Sequence, residues 1–558
     1  MKQENVKIHC VNDAAEHNVP LGMSLLEMAE MIRPATARRP IAAYVDNQVQ
    51  ALTYRIYKPH QVEFIDITHF EGSRVYQRTL FMVLHKAVED LFEGCRLSVK
   101  HSVSKGFYCE IIGRKDIFPA DVIAIKRRAD EIVAADMPII KERLLRPEAE
   151  ALFSELGYDD KLGLMQTRPR LYETVYHLDN TVGYFYGAMA PSTGYVELFD
   201  IRPYYATGLY VAVPRRTNPD ELESMVRQEK MFDVFSEYSD WVDIMGVPNV
   251  GSLNGRILRG ELGELIKIGE AFHEKNMAHI ADMIADAHNR RGAKLVLIAG
   301  PSSSGKTTSS KRLGIQLRVL GLKPVLLSLD DYFVDRDKTP LDENGEYDFE
   351  AFDAIDRQTF NDHLERLYAG ESVDIPRYDF ITGKRQWYSE PLRLDERSVL
   401  IIEGIHALNP ELTSRIADDK KFKIYASAFT SVAMDNLSRI PTTDTRLIRR
   451  IVRDCYTRGA DAVNTLRRWQ SVRRGEERYI FPYQEHADVM FNSVLFYEIP
   501  ILKRFVEPML HTVPDTVPEY AEAKRLLAFL DNFVSAEPTE VPLNSILREF
   551  IGGSSFQY

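Results

Sequence analysis

The sequence predicts a multidomain chain, α+β at its start, followed by an α/β unit in which helices cover both faces of a parallel sheet. Three observations carry this. The chain has 558 residues, more than one core ordinarily organises. Between residues 291 and 505 apolar runs alternate with helical patterns, the runs being KLVLIAG, KPVLLSLD, SVLIIEG and FKIYASAF. Such alternation marks a parallel sheet wrapped by helices. The first of these runs leads into GPSSSGKTT, residues 300–308. That is the G-x-x-x-x-G-K-[ST] spacing of a phosphate-binding loop, with a strand before it and a helix after. By composition alone it arises in on the order of one chain in a hundred of this length.

Composition narrows the classes. Hydrophobic residues at 45% and charged residues at 27% suffice for full cores. A net charge of −12 argues against coating nucleic acid by bulk charge. Cys10, Cys95, Cys109 and Cys455 are scattered with no C-x-x-C, which fits free thiols better than a disulfide framework or a zinc site. The start, MKQENVKIHC, is too polar for a signal peptide, and no apolar run approaches a membrane span. A cytoplasmic protein with no membrane partner is expected.

In chain order, residues 1–70 read as a small α+β module. Val6–Cys10 is a strand, Ser24 is the N-cap of LLEMAEMI, and IAAYVD and VEFIDI are further strands. The module resembles a TGS domain, the ubiquitin-like unit at the start of threonyl-tRNA synthetases. Residues 71–215 open on the striped helix RVYQRTLFMVLHKAVEDLF and continue through KGFYCEI, VYHL and YFYGAMAPSTGYVELFDI. They resemble the second additional domain of the same synthetases, which edits mischarged tRNA with an H-x-x-x-H on the helix and a later Cys and His. Laid on this chain, those positions are Arg78, Met82, Phe185 and Met189, with Gly187 matching a glycine. Met and Phe supply neither donors nor proton transfer. A scaffold without editing chemistry is expected. Residues 216–290 read as a helical connector, with Asn218-Pro219-Asp220 opening a helix and 246–260 forming a loop that is a hinge or a domain junction. Residues 506–558 read as a helical tail.

In the phosphate loop, Gly300, Ser302, Ser303, Ser304, Gly305, Lys306, Thr307 and Thr308 are the residues expected to bind a nucleotide's phosphates. Their N–H groups turn inward, and the following helix adds the positive end of its dipole. Lys306 reaches the outer phosphates and the Thr307 hydroxyl sits on Mg²⁺. No N-K-x-D is present, which argues against a GTPase. Asp330 follows the second strand and is placed to accept the proton of an attacking hydroxyl. Glu403 ends the strand Val399–Ile402 and fits a Mg²⁺-directing acid. In DTRLIRRIVRDCYTR, Arg446, Arg449, Arg450 and Arg453 recur at three and four, a basic helical face suited to charge on a transferring phosphate.

Together GPSSSGKTT, SLDDYF, IPRYDFITGKR, IIEGIHAL and DTRLIRRIVRDCYTRG resemble the uridine kinase and phosphoribulokinase family over roughly residues 292–493. The resemblance implies ATP, Mg²⁺ and γ-phosphate transfer to a sugar hydroxyl. It makes Asp330 the base and Glu403 the acid of IIEG. Tyr378 and Phe380 pack on the nucleoside base, Arg450 lies on the substrate side, and Arg453 and Arg458 lie near the phosphates. The ribose-binding acid is Asp348 or Glu350, with Glu350 preferred. The chain departs from uridine–cytidine kinases at Gly383, Ala460 and Arg468, where base-reading groups stand in those enzymes. Arg467, Arg468, Arg473 and Arg474 are a solvated lid or a seat for an anionic acceptor. The expected activity is an ATP-dependent kinase acting on a nucleoside or related small-molecule acceptor. The rival is a tRNA- or ribosome-associated ATP-binding regulator. Homo-oligomerisation is left open.

Overall fold

The computed structural model describes residues 4–557 except 206, 344, 381 and 388–390. At the start, five strands form one sheet in the order Ala15–Pro20, Asn5–Cys10, His60–Ile65, Ala42–Val45, Gln48–Ala51. Asn5–Cys10 and His60–Ile65 run parallel and the other neighbours antiparallel, a ubiquitin-like arrangement. Its helix Leu25–Ile32 starts where the sequence placed it. Ser24 Oγ accepts from Glu27 N–H at 3.2 Å, and Glu27 Oε2 accepts from Ser24 N–H at 2.8 Å.

The long helix Phe70–Leu91 buries Val75, Leu80, Val83 and Ala87 completely. It packs beside an antiparallel sheet of Asp200–Tyr204, Gly208–Ala212, Gly106–Ile112 and Arg96–Val103. The apolar side chains of both N-terminal modules merge into one core.

Two expectations for the connector fail. Asn218–Leu222 is a strand paired with Pro214–Arg215, and the helix begins only at Glu229. Arg215 reaches across the hairpin to Glu221 at 3.0 Å, and Arg38 pairs with Asp220. These partners hold the segment extended. The supposed hinge contains the helix Val250–Leu258, capped by Asn249, whose Oδ1 accepts from Ser252 N–H at 2.9 Å. Its Gly251 serves close approach rather than bending: a Cβ there would lie 2.5 Å from the Leu164 nitrogen. The helix Leu262–Arg291 then runs for 30 residues and stops at Gly292.

The central sheet is fully parallel, in the order Lys323–Ser328, Ser398–Glu403, Leu295–Ala299, Lys421–Ser427, Val489–Asn492. Leu295–Ala299 and Ser398–Glu403 are buried throughout, which accounts for their unbroken apolar runs. Their carboxyl ends lie side by side, so the loops leaving them meet. The fifth strand, in DVMFNS, was not anticipated.

The last 50 residues do not trail away. Leu526, Phe529, Ile546, Leu547 and Phe550 are buried in the same core as Val296 and Ile298 of the central sheet. On its way the segment touches the synthetase-like modules: Asn47 Nδ2 donates to the Asp515 carbonyl at 2.8 Å, and Arg74 reaches Glu522 at 3.1 Å. Among the described residues no helix is long and apolar enough to cross a membrane.

Candidate active site

The phosphate loop is held by close backbone packing. A Cβ at Gly300 would lie 1.9 Å from the Ala426 carbonyl oxygen, so only glycine lets the loop leave the sheet there. Ser303 and Gly305 have φ of 58° and 77°, and Gly305 caps the helix Lys306–Val319. The Ser303 and Ser304 hydroxyls are buried with no protein partner. Lys306 Nζ donates to the Pro301 carbonyl at 3.2 Å. Two loop N–H groups are engaged by protein carboxylates, against the expectation that all face inward. Ser302 N–H donates to Glu476 at 3.2 Å, and Thr308 N–H donates to Glu549 at 3.2 Å.

The acids converge beside the loop. Thr307 Oγ1 donates to Glu403 Oε1 at 3.2 Å, and Ser328 Oγ donates to the same oxygen at 3.0 Å. Burial, then the Asp330 charge, pushes the Glu403 carboxyl up to about 7. Asp330 sits just beyond the neighbouring strand, its N–H bonded to Ser328 Oγ at 3.3 Å. Asp331 turns away and accepts from Tyr378 N–H at 3.3 Å, and burial raises it to about 6. A hydroxyl and a carboxylate 3.2 Å apart, beside a phosphate loop, are an oxygen-only set that suits Mg²⁺, which keeps phosphate oxygens and water for the rest of its shell. The unpartnered loop hydroxyls and the glycine-lined turn likewise suit a polyphosphate.

The structure places the two ribose candidates differently. Asp348 turns back on the chain and accepts from Glu350 N–H at 3.0 Å. Glu350 Oε2 is buried and has no hydrogen-bond partner among the described residues. Burial lifts it to about 7, although Arg450 and Lys306 act against the rise. The charges of Asp330 and Arg450 both act on Glu350.

The arginine helix Thr442–Thr457 corrects the sequence reading. Arg446 and Arg449 are 1% and 0% exposed and belong to the wall behind the loop. Arg446 pairs with Glu476 through both guanidinium ends and donates to the Ser302 carbonyl at 3.1 Å. Arg449 pairs with Glu498 at 2.9 and 2.6 Å and donates to the Ser303 carbonyl at 3.3 Å. The spacing of three and four was right; the buried partners lie 30 and 49 residues away and leave no local mark. Arg450 faces the cleft, with Nη1 2.8 Å from Ser302 Oγ. Asp454 holds Arg450 at 3.2 Å and Arg453 at 2.8 Å and lies 3.9 Å from Arg458. The Arg453 charge, with burial, lowers Arg458 to about 10. Glu476, Glu498, Asp454 and Ser328 were not singled out from the sequence.

On the base side, Tyr378 is buried against Phe333, whereas Phe380 is 42% exposed with the Arg458 guanidinium 4.8 Å over its ring. At Gly383, φ is 70° and a Cβ would stand 2.7 Å from Arg336 Nε; Arg336 also donates to the Phe380 carbonyl at 2.6 Å. Arg468 is exposed. Arg467, Arg473 and Arg474 are taken by Glu519, Glu476 and Asp342 at 2.8, 2.8 and 3.0 Å.

The four editing positions do come together. Met82, Phe185 and Met189 are at most 3% exposed, and Met82 and Phe185 flank Gly183. Arg78 lies over Gly187 and donates to the Ala188 carbonyl at 2.8 Å.

The comparisons fall on the same two halves. In its N-terminal region the chain is 29% identical over 192 residues to a threonine–tRNA ligase of Syntrophomonas wolfei. That match covers 34% of this chain but only 30% of the ligase, so the chain spans less than a third of that relative. It is 31% identical over 198 residues to a uridine kinase of Chloroflexus aggregans, covering 35% of this chain and 85% of the kinase. A possible uridine kinase from Bacillus stearothermophilus is 23% identical in structure-based alignment, over 36% of this chain and 88% of that one, with a TM-score of 0.25. The sequence pattern of the Phosphoribulokinase / Uridine kinase family matches residues 295–499. With the loop, the strand-end acids and the arginine helix in place, the chain belongs to the phosphoribulokinase/uridine kinase family.

Proposed function

We propose that the chain is an ATP- and Mg²⁺-dependent kinase that moves the γ-phosphate to a hydroxyl of a nucleoside or related sugar-containing acceptor. One observation carries this: at the mouth of the phosphate loop Thr307 and Ser328 both donate to the Glu403 carboxylate, Ser328 also takes the Asp330 N–H, and Arg450 reaches Ser302. Lys306 and the loop N–H groups hold the phosphates. Thr307 and Glu403 would hold Mg²⁺, which when bound neutralises charge on the outer phosphates. Asp330 takes the proton of the acceptor hydroxyl. Glu350 and Arg450 position the sugar, and Phe380 offers its exposed ring to whatever the sugar carries. Arg453 and Arg458 face charge that spreads over the transferring group; Asp454 fixes their aim. In this reading residues 1–70, 71–215 and 216–290 are the TGS-like, editing-like and connecting units, 291–505 is the kinase unit, and 506–558 closes it. The editing-like unit acts as a scaffold.

The test is ADP release from the purified chain with Mg²⁺-ATP and a panel of nucleosides, sugars and sugar phosphates. At least one acceptor should stimulate release, and Asp330→Asn should abolish that stimulation while leaving ATP binding intact. A second reading, an ATP-binding regulator that works on tRNA, is favoured by the bridge from Asn47 and Arg74 to the C-terminal segment. It prevails if no acceptor stimulates ADP release and tRNA does.

A further inference from the structure

The helix Lys306–Val319 already holds an anion at its start, and the anion is part of the chain. Glu549 Oε2 accepts from Thr308 N–H at 3.2 Å and from the Thr308 hydroxyl at 2.5 Å. Thr308 N–H is one of the donors that a helix start leaves unpaired and that a phosphate loop offers to phosphate. The contact is part of a seat. Ile546 lies so close over Gly305 that a Cβ there would be 2.7 Å from Ile546 Cγ2. The Phe550 ring packs 5.0 Å from the Arg449 guanidinium, and the Lys311 ammonium donates to the Gln557 carbonyl.

We propose that residues 545–557 form a strap whose Glu549 carboxylate occupies an anion position of the phosphate loop, so that a nucleoside triphosphate must displace it to bind. A carboxylate and a phosphate oxygen cannot both take the Thr308 N–H, and their like charges oppose each other at that distance. The strap is presented by a segment fastened to the synthetase-like half. Arg170 pairs with Asp531 at 3.1 Å, and Arg168 reaches Asn532. Asn254 Nδ2 donates to the Asn532 carbonyl at 2.8 Å. Tethering of this kind raises the effective concentration of the carboxylate, which lets one side chain compete with a soluble ligand. It also makes the nucleotide site sensitive to whatever shifts the segment. This inference rests on the reading that the loop binds ATP.

Removing residues 545–557 would also strip Ile546, Leu547 and Phe550 from the core, so the test uses point variants of the full chain. Glu549→Gln and Glu549→Ala are titrated with Mg²⁺-ATP by calorimetry. Both should bind on the order of tenfold tighter than the unaltered chain, the effect of losing one competing charge-assisted hydrogen bond. In the unaltered chain, saturating Mg²⁺-ATP should speed amide hydrogen exchange over residues 543–557. Equal or weaker binding by both variants makes Glu549 a plain helix cap or a nucleotide ligand and overturns the strap. So does exchange over 543–557 that ATP leaves unchanged or slows, a measurement that needs no variant to fold. If no form binds ATP, the phosphate-loop reading falls and takes the strap with it, an outcome distinct from equal binding by all.

Discussion

Replacing Glu476 by Gln separates the loop's scaffold from its chemistry. Glu476 is 0% exposed and neutralises the buried Arg446, accepts the Ser302 N–H at 3.2 Å, and receives Arg473 at 2.8 Å. Burial opposes its charge, but Arg446 and Arg473 hold its carboxyl below the usual range. Glu476→Gln leaves the Arg446 guanidinium buried and unneutralised, whereas Arg473, at the edge, can turn to water. Losing one member of a buried pair costs about 3–5 kcal/mol. At about 2–4 °C per kcal/mol for a unit of 150–250 residues, the unfolding transition of the kinase unit should fall by roughly 6–20 °C in a calorimetric scan. The double variant Arg446→Met/Glu476→Leu should recover most of that loss, because an apolar pair replaces a buried ion pair at little net cost. It should not recover ATP affinity, since both the N–H and the carbonyl of Ser302 have lost their anchors. A drop smaller than about 2 °C for Glu476→Gln, or ATP binding by the double variant equal to that of the unaltered chain, would refute the claim that this pair holds the loop.

Three further outcomes are expected. Gly305→Ala forces an L-residue to φ 77° in the loop, so ATP affinity by calorimetry should fall at least on the order of tenfold; unchanged affinity would show that the turn relaxes freely. Glu350→Gln should alter the pH dependence of stability. Burial raises this carboxyl from 4.5 to about 7, so its contribution is full below pH 4.5 and is lost as pH rises through 7. The melting temperature of Glu350→Gln relative to the unaltered chain should therefore climb between pH 5 and pH 8, by a few degrees for roughly 2–3 kcal/mol, and a flat difference would count against a buried carboxyl. Mischarged threonine tRNA given to the full chain should keep its amino acid at the buffer rate, since Met82, Phe185 and Met189 offer no proton transfer; any faster release would contradict that.

What the sequence revealed and what it hid divide along physical lines. The loop at 300–308, the strands before it, Asp330 and Glu403 were legible because each is fixed by its own neighbours: an apolar run, a turn, an acid at a strand end. Ser24 was legible for the same reason, a capping box being complete within four residues. Arg446 and Arg449 were recognised with Arg450 and Arg453 as one basic helical face, but not as a buried part of it. Periodicity groups residues on a face but does not say what covers it, and here Glu476 and Glu498 do. The glycines of 246–260 suggested a hinge because flexibility and close helix packing call for the same residue. Gly251 beside Leu164 is packing. Glu549, in a segment read as a tail, carried no signal, because its partner Thr308 is 241 residues away.

The same partnering bears on the acceptor within the proposed reaction. A basic cluster seats an anionic substrate only if its charges are uncommitted. Arg467, Arg473 and Arg474 each face a carboxylate within 3.0 Å, and Arg468 stands exposed. A sugar phosphate would have to break those pairs, exchanging one charge-assisted bond for another with little gain. On the opposite wall, the Gly383 turn is filled by Arg336, so a ring-reading side chain there would collide with it. Glu350 is raised to about 7 by burial, so it can donate as well as accept near neutrality, and Phe380 keeps an exposed ring. Within the proposed reaction, then, Arg467, Arg473 and Arg474 give a phosphorylated acceptor little to gain.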